Sequence, residues 1–177
     1  LDCSPDGKTL LVGIFRPTAG KGDLWLLPAT GSDSKPTHFQ QTKFNEIEGR
    51  ISRDGKWVAY VSDESGDNEI YLKHLSSPGS EAWKVSSGGG HVPLWGPAAN
   101  ELIYVNSRRE VVSVTLRFSG NSGEIVSVKK LFVLPALSQS YDISPDGKTF
   151  VITRSLEMQK FPPLSLVVNW EELLKGK

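Results

Sequence analysis

The chain of 177 residues contains one cysteine, Cys3, so it cannot form an intramolecular disulfide. A lone thiol leaves the redox compartment open. Cys3 directly precedes a turn, at the position that Ile51, Trp95 and Ile143 occupy in later copies of that turn. Because free cysteine is usually buried, we expect Cys3 to be a small buried side chain on an inner strand.

An excess of charge of one sign is also missing, since 20 basic residues balance 20 acidic ones. A nucleic-acid surface needs a basic patch, so we expect no nucleic-acid partner. No apolar run approaches the roughly 18 residues of a membrane span. No signal peptide is visible either. We therefore expect no membrane span in this chain.

Motifs for nucleophilic catalysis are absent as well. There is no Gly-x-Ser-x-Gly elbow, and His38, His74 and His91 lie in three different local settings. A catalytic triad needs a serine, a histidine and a carboxylate to meet in space. We expect the chain itself to be no enzyme and to need no cofactor. The parent protein can still carry a kinase or another catalytic domain elsewhere.

The chain offers one weak candidate for a metal site, the acidic loop 63–69, in which Asp63 and Asp67 are possible calcium ligands. The loop lacks the regular spacing of a calcium-binding loop. Aspartate and asparagine next to glycine are also what a connection between two strands needs. We therefore expect a turn at this loop and no metal.

One turn recurs along the chain, and successive copies begin 48, 44 and 48 residues apart. The copies are Ser4-Pro5-Asp6-Gly7-Lys8, Ser52-Arg53-Asp54-Gly55-Lys56, the degenerate Gly96-Pro97-Ala98-Ala99-Asn100-Glu101, and Ser144-Pro145-Asp146-Gly147-Lys148. The aspartates fold back on their own backbone, and glycine takes the left-handed φ that closes a tight hairpin. In the third copy we expect Asn100, which tolerates that conformation, to replace glycine.

Short runs of β-branched and aromatic residues follow each turn, which indicates strands covered on both faces. Each unit supplies about four strands, a pattern typical of a β-propeller blade. We place four blades at about 1–40, 41–87, 88–134 and 135–177, in one all-β domain of four-stranded antiparallel sheets. The last blade lacks an outer strand and ends in a short helical segment, 171–177.

This count predicts an incomplete propeller, a fragment of a ring of six or seven blades. Two alternatives are a closed ring of four blades and an eight-bladed ring made by two copies of the chain. The bare faces of an open array favour association, so a homodimer through the open blade edges is a possible partner arrangement.

The units resemble the PD40, or WD40-like, repeats of TolB-type β-propellers. The motifs that carry the resemblance are Ile51-Ser52-Arg53-Asp54-Gly55-Lys56, Val61-Ser62-Asp63 and Glu69-Ile70-Tyr71, with Arg53 in place of the usual proline. The second half is similar to the C-terminal propellers of bacterial multidomain proteins that carry a serine/threonine kinase or regulator domain. The motifs for that likeness are Trp83-Lys84-Val85-Ser86, Pro93-Leu94-Trp95, Tyr141-Asp142-Ile143-Ser144 and Val167-Val168-Asn169-Trp170.

The resemblance implies a non-catalytic sensor or scaffold that binds a protein, a peptide or a small ligand at the channel. It also favours an extracytoplasmic or periplasmic location. Two alternatives remain: the substrate-gating propeller of a prolyl-oligopeptidase-like serine hydrolase, and a TolB-like scaffold for envelope proteins. A shared fold does not choose among them.

Inner-strand residues and loops converge at the mouth of a propeller channel. We expect a ligand- or peptide-binding mouth there, with charged groups that fix orientation and aromatic groups that give apolar contact. Its candidate residues are Arg50, His91, Trp95, Tyr141 and Asp142. In the alternative interpretation, Arg50 pairs with Asp2 or Asp142 between blades while Trp95 and Tyr141 fill the core.

Overall fold

The computed structural model describes residues 1–30, 35–77 and 80–155, which form fourteen β-strands and no helix. The first sheet contains β1 (Asp2–Cys3), β2 (Thr9–Arg16), β3 (Lys21–Pro28) and β4 (Thr37–Gln40). The second contains β5 (Glu46–Ile51), β6 (Trp57–Ser62), β7 (Glu69–His74) and β8 (Trp83–Lys84). The third contains β9 (His91–Trp95), β10 (Glu101–Val105), β11 (Glu110–Ser119) and β12 (Ser122–Val133). β13 (Ser138–Ile143) and β14 (Phe150–Arg154) form a fourth sheet.

Every sheet follows chain order, and neighbouring strands are antiparallel, so each sheet is an up-and-down meander of the kind that builds propeller blades. The predicted all-β fold of four-stranded antiparallel sheets is therefore confirmed. The helical end predicted at 171–177 lies outside the described residues, and the division into four units stays a prediction. Within the described ranges no helix could cross a membrane.

Three of the four turns share one set of hydrogen bonds. In the first, Ser4 Oγ donates to Asp6 Oδ1 at 2.6 Å and accepts from Thr9 N at 2.9 Å. The same bonds recur in the turns that begin at Ser52 and Ser144. The turn glycines have left-handed φ values of 70°, 71° and 73° at Gly7, Gly55 and Gly147. The serine hydrogen bond stabilises the ionised carboxylate, which lowers the pKa of Asp6 and of Asp146.

The third turn closes differently, and the expectation for Asn100 is wrong. Asn100 is not among the non-glycine residues with positive φ. The extra residue lengthens the turn, so Glu101 N reaches Ala98 O at 3.0 Å without a left-handed residue. The Asn100 side chain instead donates to Leu116 O at 2.9 Å and ties the turn to β11.

The turns of successive sheets touch one another. A Cβ atom at Gly55 would lie 3.5 Å from Pro5, and one at Gly147 would lie 2.4 Å from Pro97. Between the second and third turns, Arg53 Nε donates to Gly96 O at 2.8 Å. The arginine that replaces the usual proline therefore makes a polar link between two sheets.

Apolar clusters fill the space between neighbouring sheets. One joins the first and second sheets through Leu11, Leu24, Phe39, Ile51, Val58, Tyr60 and Tyr71. A larger one joins the second and third sheets through side chains such as Trp57, Leu72, Trp95, Leu102 and Val114. A third includes Leu94, Ile103, Val105, Val111 and Tyr141. The middle strand β6 is buried along its whole length, as its unbroken apolar run predicts.

Cys3 is exposed, so the expectation that it is buried is wrong. Cys3 pairs with Leu10, and both point to the face of the first sheet opposite the one that carries Leu11. Ile51 holds the matching position on β5 and packs between the first and second sheets. In the described part of the chain nothing covers the corresponding face of the first sheet, and this leaves Cys3 in solvent.

The outer strands carry features that discourage edge-to-edge pairing. β4 has four residues and β8 has two, and short edge strands offer few free backbone groups. β12 is longer, with twelve residues, but its pairing with β11 is broken by two register shifts. It also carries Lys129 and Lys130. Irregular backbone and lysine both weaken an edge as a template for another strand.

Candidate binding pocket between the third and fourth sheets

The two aromatic residues of the predicted mouth join the inner strands of neighbouring sheets. Trp95 is 7% exposed in the cluster between the second and third sheets, and its Nε1 donates to Arg50 O at 3.1 Å. Tyr141 is 6% exposed, and its hydroxyl donates to Val92 O at 2.7 Å. Burial raises the pKa of Tyr141, so its hydroxyl stays a neutral donor.

The charged residues of the predicted mouth remain apart. Arg50 is half-buried and its Nη1 lies 3.5 Å from Gly49 O. No ion pair of Arg50 occurs among the described residues, so the alternative pairing with Asp2 or Asp142 is wrong. Asp2 accepts from Ile51 N at 2.7 Å, which already links β1 to β5. The exposed Asp142 accepts from Ile143 N at 2.8 Å.

His91 and Tyr141 do come together, in a cavity of about 250 Å³ between the third and fourth sheets. The apolar part of its lining consists of Val92, Val105, Leu134 and Tyr141. The polar part consists of His91, Arg109, Ser138 and Ser140. We call this cavity the rim pocket, because it lies where β9 and β13 begin, at the end of the sheets opposite the repeated turns.

Backbone strain concentrates at the rim pocket. Four non-glycine residues of the described chain have positive φ, and two of them, Val92 at 49° and Arg109 at 63°, line the pocket. A third, Leu137 at 63°, directly precedes the lining residue Ser138. Positive φ is most costly for a β-branched residue such as Val92. Strain of this kind persists only where surrounding contacts impose it, and it clusters at binding and catalytic sites.

The hydrogen bonds around Val92 show what imposes its conformation. Val92 N donates to Glu48 Oε2 at 2.6 Å, and Val92 O accepts from the Tyr141 hydroxyl. Three inner strands, β5, β9 and β13, are thereby connected through one residue. The part of the rim pocket formed by Val92 is thus fixed by Glu48 on one side and by Tyr141 on the other.

Arg109 is held in a similar way by the segment that leads to β13. Its Nη2 donates to Pro135 O, and Leu134 O lies 3.5 Å from the same nitrogen. Both serine hydroxyls of the lining are also engaged, Ser138 with Pro135 O at 2.7 Å and Ser140 with Thr153 Oγ1 at 2.6 Å. The pocket therefore has two polar groups with spare bonding capacity, the guanidinium of Arg109 and the ring of His91.

A second cavity of about 230 Å³ lies between the first two turns and includes Asp6 and Asp54 in its lining. Both carboxylates already accept hydrogen bonds within their own turns. These bonds engage Oδ1 of each carboxylate, and the lining of this cavity is less apolar than that of the rim pocket. The rim pocket is the better candidate for binding.

Asp63, one of the two weak calcium candidates, has a structural use. Asp63 Oδ1 accepts from Asn45 N at 2.9 Å and ties the loop after β6 to the crossing that precedes β5. In the ranges that the structure describes, no group of three or more histidine, cysteine or acidic side chains could hold a metal ion. The ring of His38 contacts Trp25 in the first sheet at an interplanar angle of 44°, and His74 contacts Trp57 in the second. His91 lines the rim pocket, so the three histidines stay apart.

Sequence reasoning missed Arg109 and most of the apolar lining of the rim pocket. Arg109 belongs to the turn between β10 and β11, whereas Leu134 precedes β13 and Ser138 is the first residue of that strand. These residues form no motif and meet only through packing of the third sheet on the fourth. The strand order offered one signal. In antiparallel sheets of this kind the turn between β10 and β11 and the start of β13 lie at the same end of their sheets.

Comparison with solved structures places the fold. Crystallised TolB from Acinetobacter baumannii superposes with a TM-score of 0.64 at 19% identity, over 85% of this chain and 36% of that one. A structure described as TolB from Agrobacterium tumefaciens gives 0.53 at 20% identity, over 74% of this chain and 48% of that one. The fold is that of a TolB-type β-propeller, which confirms the expected class. The chain spans less than half the length of each of these proteins.

Sequence comparison adds little. No family model matches the chain. The rice (Oryza sativa subsp. japonica) chloroplast protein named "Probable monofunctional riboflavin biosynthesis protein RIBA 3" is 28% identical over 152 residues, which cover 74% of this chain and 26% of that protein. Since the chain matches about a quarter of that protein, the likeness carries no argument about enzymatic activity here.

Proposed function

We propose that this chain is the recognition part of a non-catalytic propeller, a TolB-like scaffold or the sensor propeller of a larger multidomain protein, and that it binds a protein or peptide at the rim pocket. The observation that carries this proposal is the pocket itself. A preformed, largely apolar cavity with two polar groups that keep spare hydrogen-bonding capacity is a typical binding site. It is built on segments held by rigid sheets, which is where binding residues are usually found.

Peptide selection tests this function without knowledge of the natural partner. A library that displays random peptides with free C-termini is selected against the wild-type chain and then screened against Ser140→Trp, which fills the pocket. We expect enriched peptides that lose at least tenfold in affinity for the filled variant. Asp142→Trp, a bulky change at an exposed neighbouring position, serves as the control and should retain binding. Peptides that bind both variants equally, or no enrichment, would contradict the proposal.

We also propose that a further four-stranded sheet of the same kind covers the bare face of the first sheet. This face carries Cys3, Leu10, Val12 and Trp25, in the register that Ile51, Val58, Tyr60 and Tyr71 hold on the second sheet. On the second sheet these positions are packed against the first sheet. The matching apolar pattern makes a sheet the best-fitting occupant.

The covering sheet can come from the parent protein or from a second copy of the chain. Thiol labelling of Cys3 in the full-length protein tests the first source, and we expect slow labelling there compared with unfolded protein. Sedimentation of this chain alone tests the second, since a dimer with protected Cys3 would assign the cover to another copy. Rapid labelling in both the full-length protein and the isolated chain would overturn the idea of a covered face.

A further inference from the structure

We propose that the rim pocket binds a carboxylate attached to a small apolar group, such as the C-terminus of a peptide that ends in leucine or valine. This inference rests on the proposed binding function and adds the chemical class of the ligand. It depends on three features of the pocket: the guanidinium of Arg109, which forms no ion pair among the described residues, the apolar lining and the small volume.

The first feature is the state of Arg109. Its Nη2 is held by two backbone carbonyl groups, while the three N–H groups on Nε and Nη1 have no partner among the described residues. No carboxylate of the described chain forms an ion pair with Arg109. A guanidinium presents a planar set of donors that matches a carboxylate through two parallel hydrogen bonds. Its anchored position lowers the entropy lost when a ligand binds.

The second feature is the asymmetry of the pocket. Glu48 lies behind Val92, where its carboxylate accepts from Val92 N at 2.6 Å. A negative group on the ligand is therefore disfavoured near Val92 and favoured near Arg109. The side chains of Val92, Val105 and Tyr141 supply an apolar surface for the rest of the ligand. His91 adds a second polar group whose ring makes no hydrogen bond among the described residues.

The third feature is size. Pockets for drug-sized ligands measure about 300–1,000 Å³, whereas the rim pocket measures about 250 Å³. This space suits one apolar side chain and its carboxylate rather than a nucleotide or a larger cofactor. A terminal residue of a peptide meets that limit, because the remainder of the peptide can extend over the rim. A free acid of the same size has the same chemistry.

Titration with matched small molecules tests the proposal. N-acetyl-leucine and N-acetyl-leucinamide differ in the carboxylate alone, and we expect the acid to bind at least tenfold more tightly in an NMR titration. The shifted backbone signals should include those of Val92 and Tyr141. The tripeptide acetyl-Ala-Ala-Leu with a free C-terminus separates the two sources, since tighter binding than N-acetyl-leucine assigns the site to peptides and equal binding assigns it to small acids.

Variants of Arg109 complete the test. Arg109→Gly removes the guanidinium and suits the left-handed φ of this position, so we expect a folded protein that no longer prefers the acid over the amide. Arg109→Gln provides a second variant that keeps a side chain. Arg117→Ala removes an exposed arginine paired with Glu124, far along β11, and should preserve the preference.

Equal binding of the acid and the amide to wild-type protein would overturn this inference. Retention of the acid preference by both Arg109 variants would do the same. In either case, peptides selected through the pocket would still support the proposed function, because that test does not depend on the carboxylate. If the peptide selection fails while the free acid binds tightly, the proposed binding of a protein or peptide is contradicted and the carboxylate preference of the pocket is supported.

Discussion

The first and second sheets present the same pattern of residues in the same register, yet their matching faces differ in burial. On the second sheet Val58 and Tyr60 are fully buried, because they pack on Leu11 and Leu24 of the first sheet. The matching residues of the first sheet, Leu10 and Val12, are only half-buried. The strands are alike, so the difference comes from the neighbour. In a stacked array, the burial of a side chain is determined by the interface between two units and not by the unit that carries the side chain.

The sharpest test of this comparison uses two leucines at equivalent positions. Leu102 pairs with Trp95 as Leu10 pairs with Cys3, but Leu102 is 0% exposed. We expect Leu102→Ala to lower the free energy of unfolding by about 2–5 kcal/mol, because it leaves a cavity in a packed interface. Leu10→Ala should cost on the order of 1 kcal/mol or less, since less apolar area leaves the core.

Urea unfolding of both alanine variants and the wild-type chain measures the two costs. The comparison of sheets is supported if Leu102→Ala costs at least twice as much. Equal costs would show that the first sheet is covered in solution, and the concentration dependence of the Leu10→Ala transition would then identify a second copy as the cover.

The next largest difference in stability is expected between alanine variants of two turn glycines that share a left-handed φ, Gly147 and Gly7. Gly147→Ala should destabilise the chain by about 2–4 kcal/mol, because a left-handed φ costs about 1–2 kcal/mol for alanine and the new methyl would collide with Pro97. Gly7→Ala should cost only about 1–2 kcal/mol, since its methyl would meet no atom within 4 Å. Thermal unfolding of the two variants provides the measurement. Similar melting temperatures would argue against contact between the turns.

A smaller effect concerns the pH dependence of the interface between the first two sheets. Burial raises the pKa of Glu46, although Thr42 donates hydrogen bonds to it. The folded state therefore keeps the Glu46 proton to a higher pH than the unfolded state does. The free energy of unfolding should fall as the pH rises from the unfolded value near 4.5 through the raised folded value.

Urea unfolding at several pH values measures that slope in the wild type and in Glu46→Gln, which cannot ionise. We expect the slope from this group to be missing in the variant. Glu81→Gln, at an exposed position, is the matched control and should keep the wild-type slope. An unchanged pH profile in Glu46→Gln would show that burial does not govern this carboxyl.

The smallest effect is expected at the position where the two sheets differ most. Cys3→Ser should change the free energy of unfolding by less than about 0.5 kcal/mol, because Cys3 is exposed. Ile51→Ser changes the matching residue of β5, which is buried between two sheets, and should be clearly destabilising. A large loss of stability in Cys3→Ser would mean that another surface packs on the first sheet.

Local features of the fold were predictable because they depend on neighbours in sequence. In three of the four turns the serine and the aspartate bond within the turn itself, and the apolar runs after the turns become strands such as β6 and β10. Asn100 shows the limit of this reasoning. One inserted residue lets the third turn close through the hydrogen bond from Glu101 N to Ala98 O. Asn100, which replaces glycine in this turn, therefore does not need a left-handed φ.

The candidate site was less predictable. Alternation of side chains along a strand shows which residues share a face, but it does not show what that face contacts. Of the five residues expected at a mouth, His91 and Tyr141 line the rim pocket. Trp95 packs in the core, while Arg50 and Asp142 lie outside the pocket lining. Arg109 joins the pocket through a bond to the carbonyl of Pro135. No pattern in the chain marks a contact between segments that meet only after two sheets have packed.

The repeating turn, the short apolar strands and hence the antiparallel sheets can be read from the amino-acid sequence, since hydrogen bonds and side-chain alternation within one unit are local properties. The exposure of Cys3, the burial of Ile51 and the position of Arg109 in the lining of an apolar cavity depend on how the sheets pack. Burial, strain and pocket shape arise where one sheet packs on the next, and no single unit contains that information.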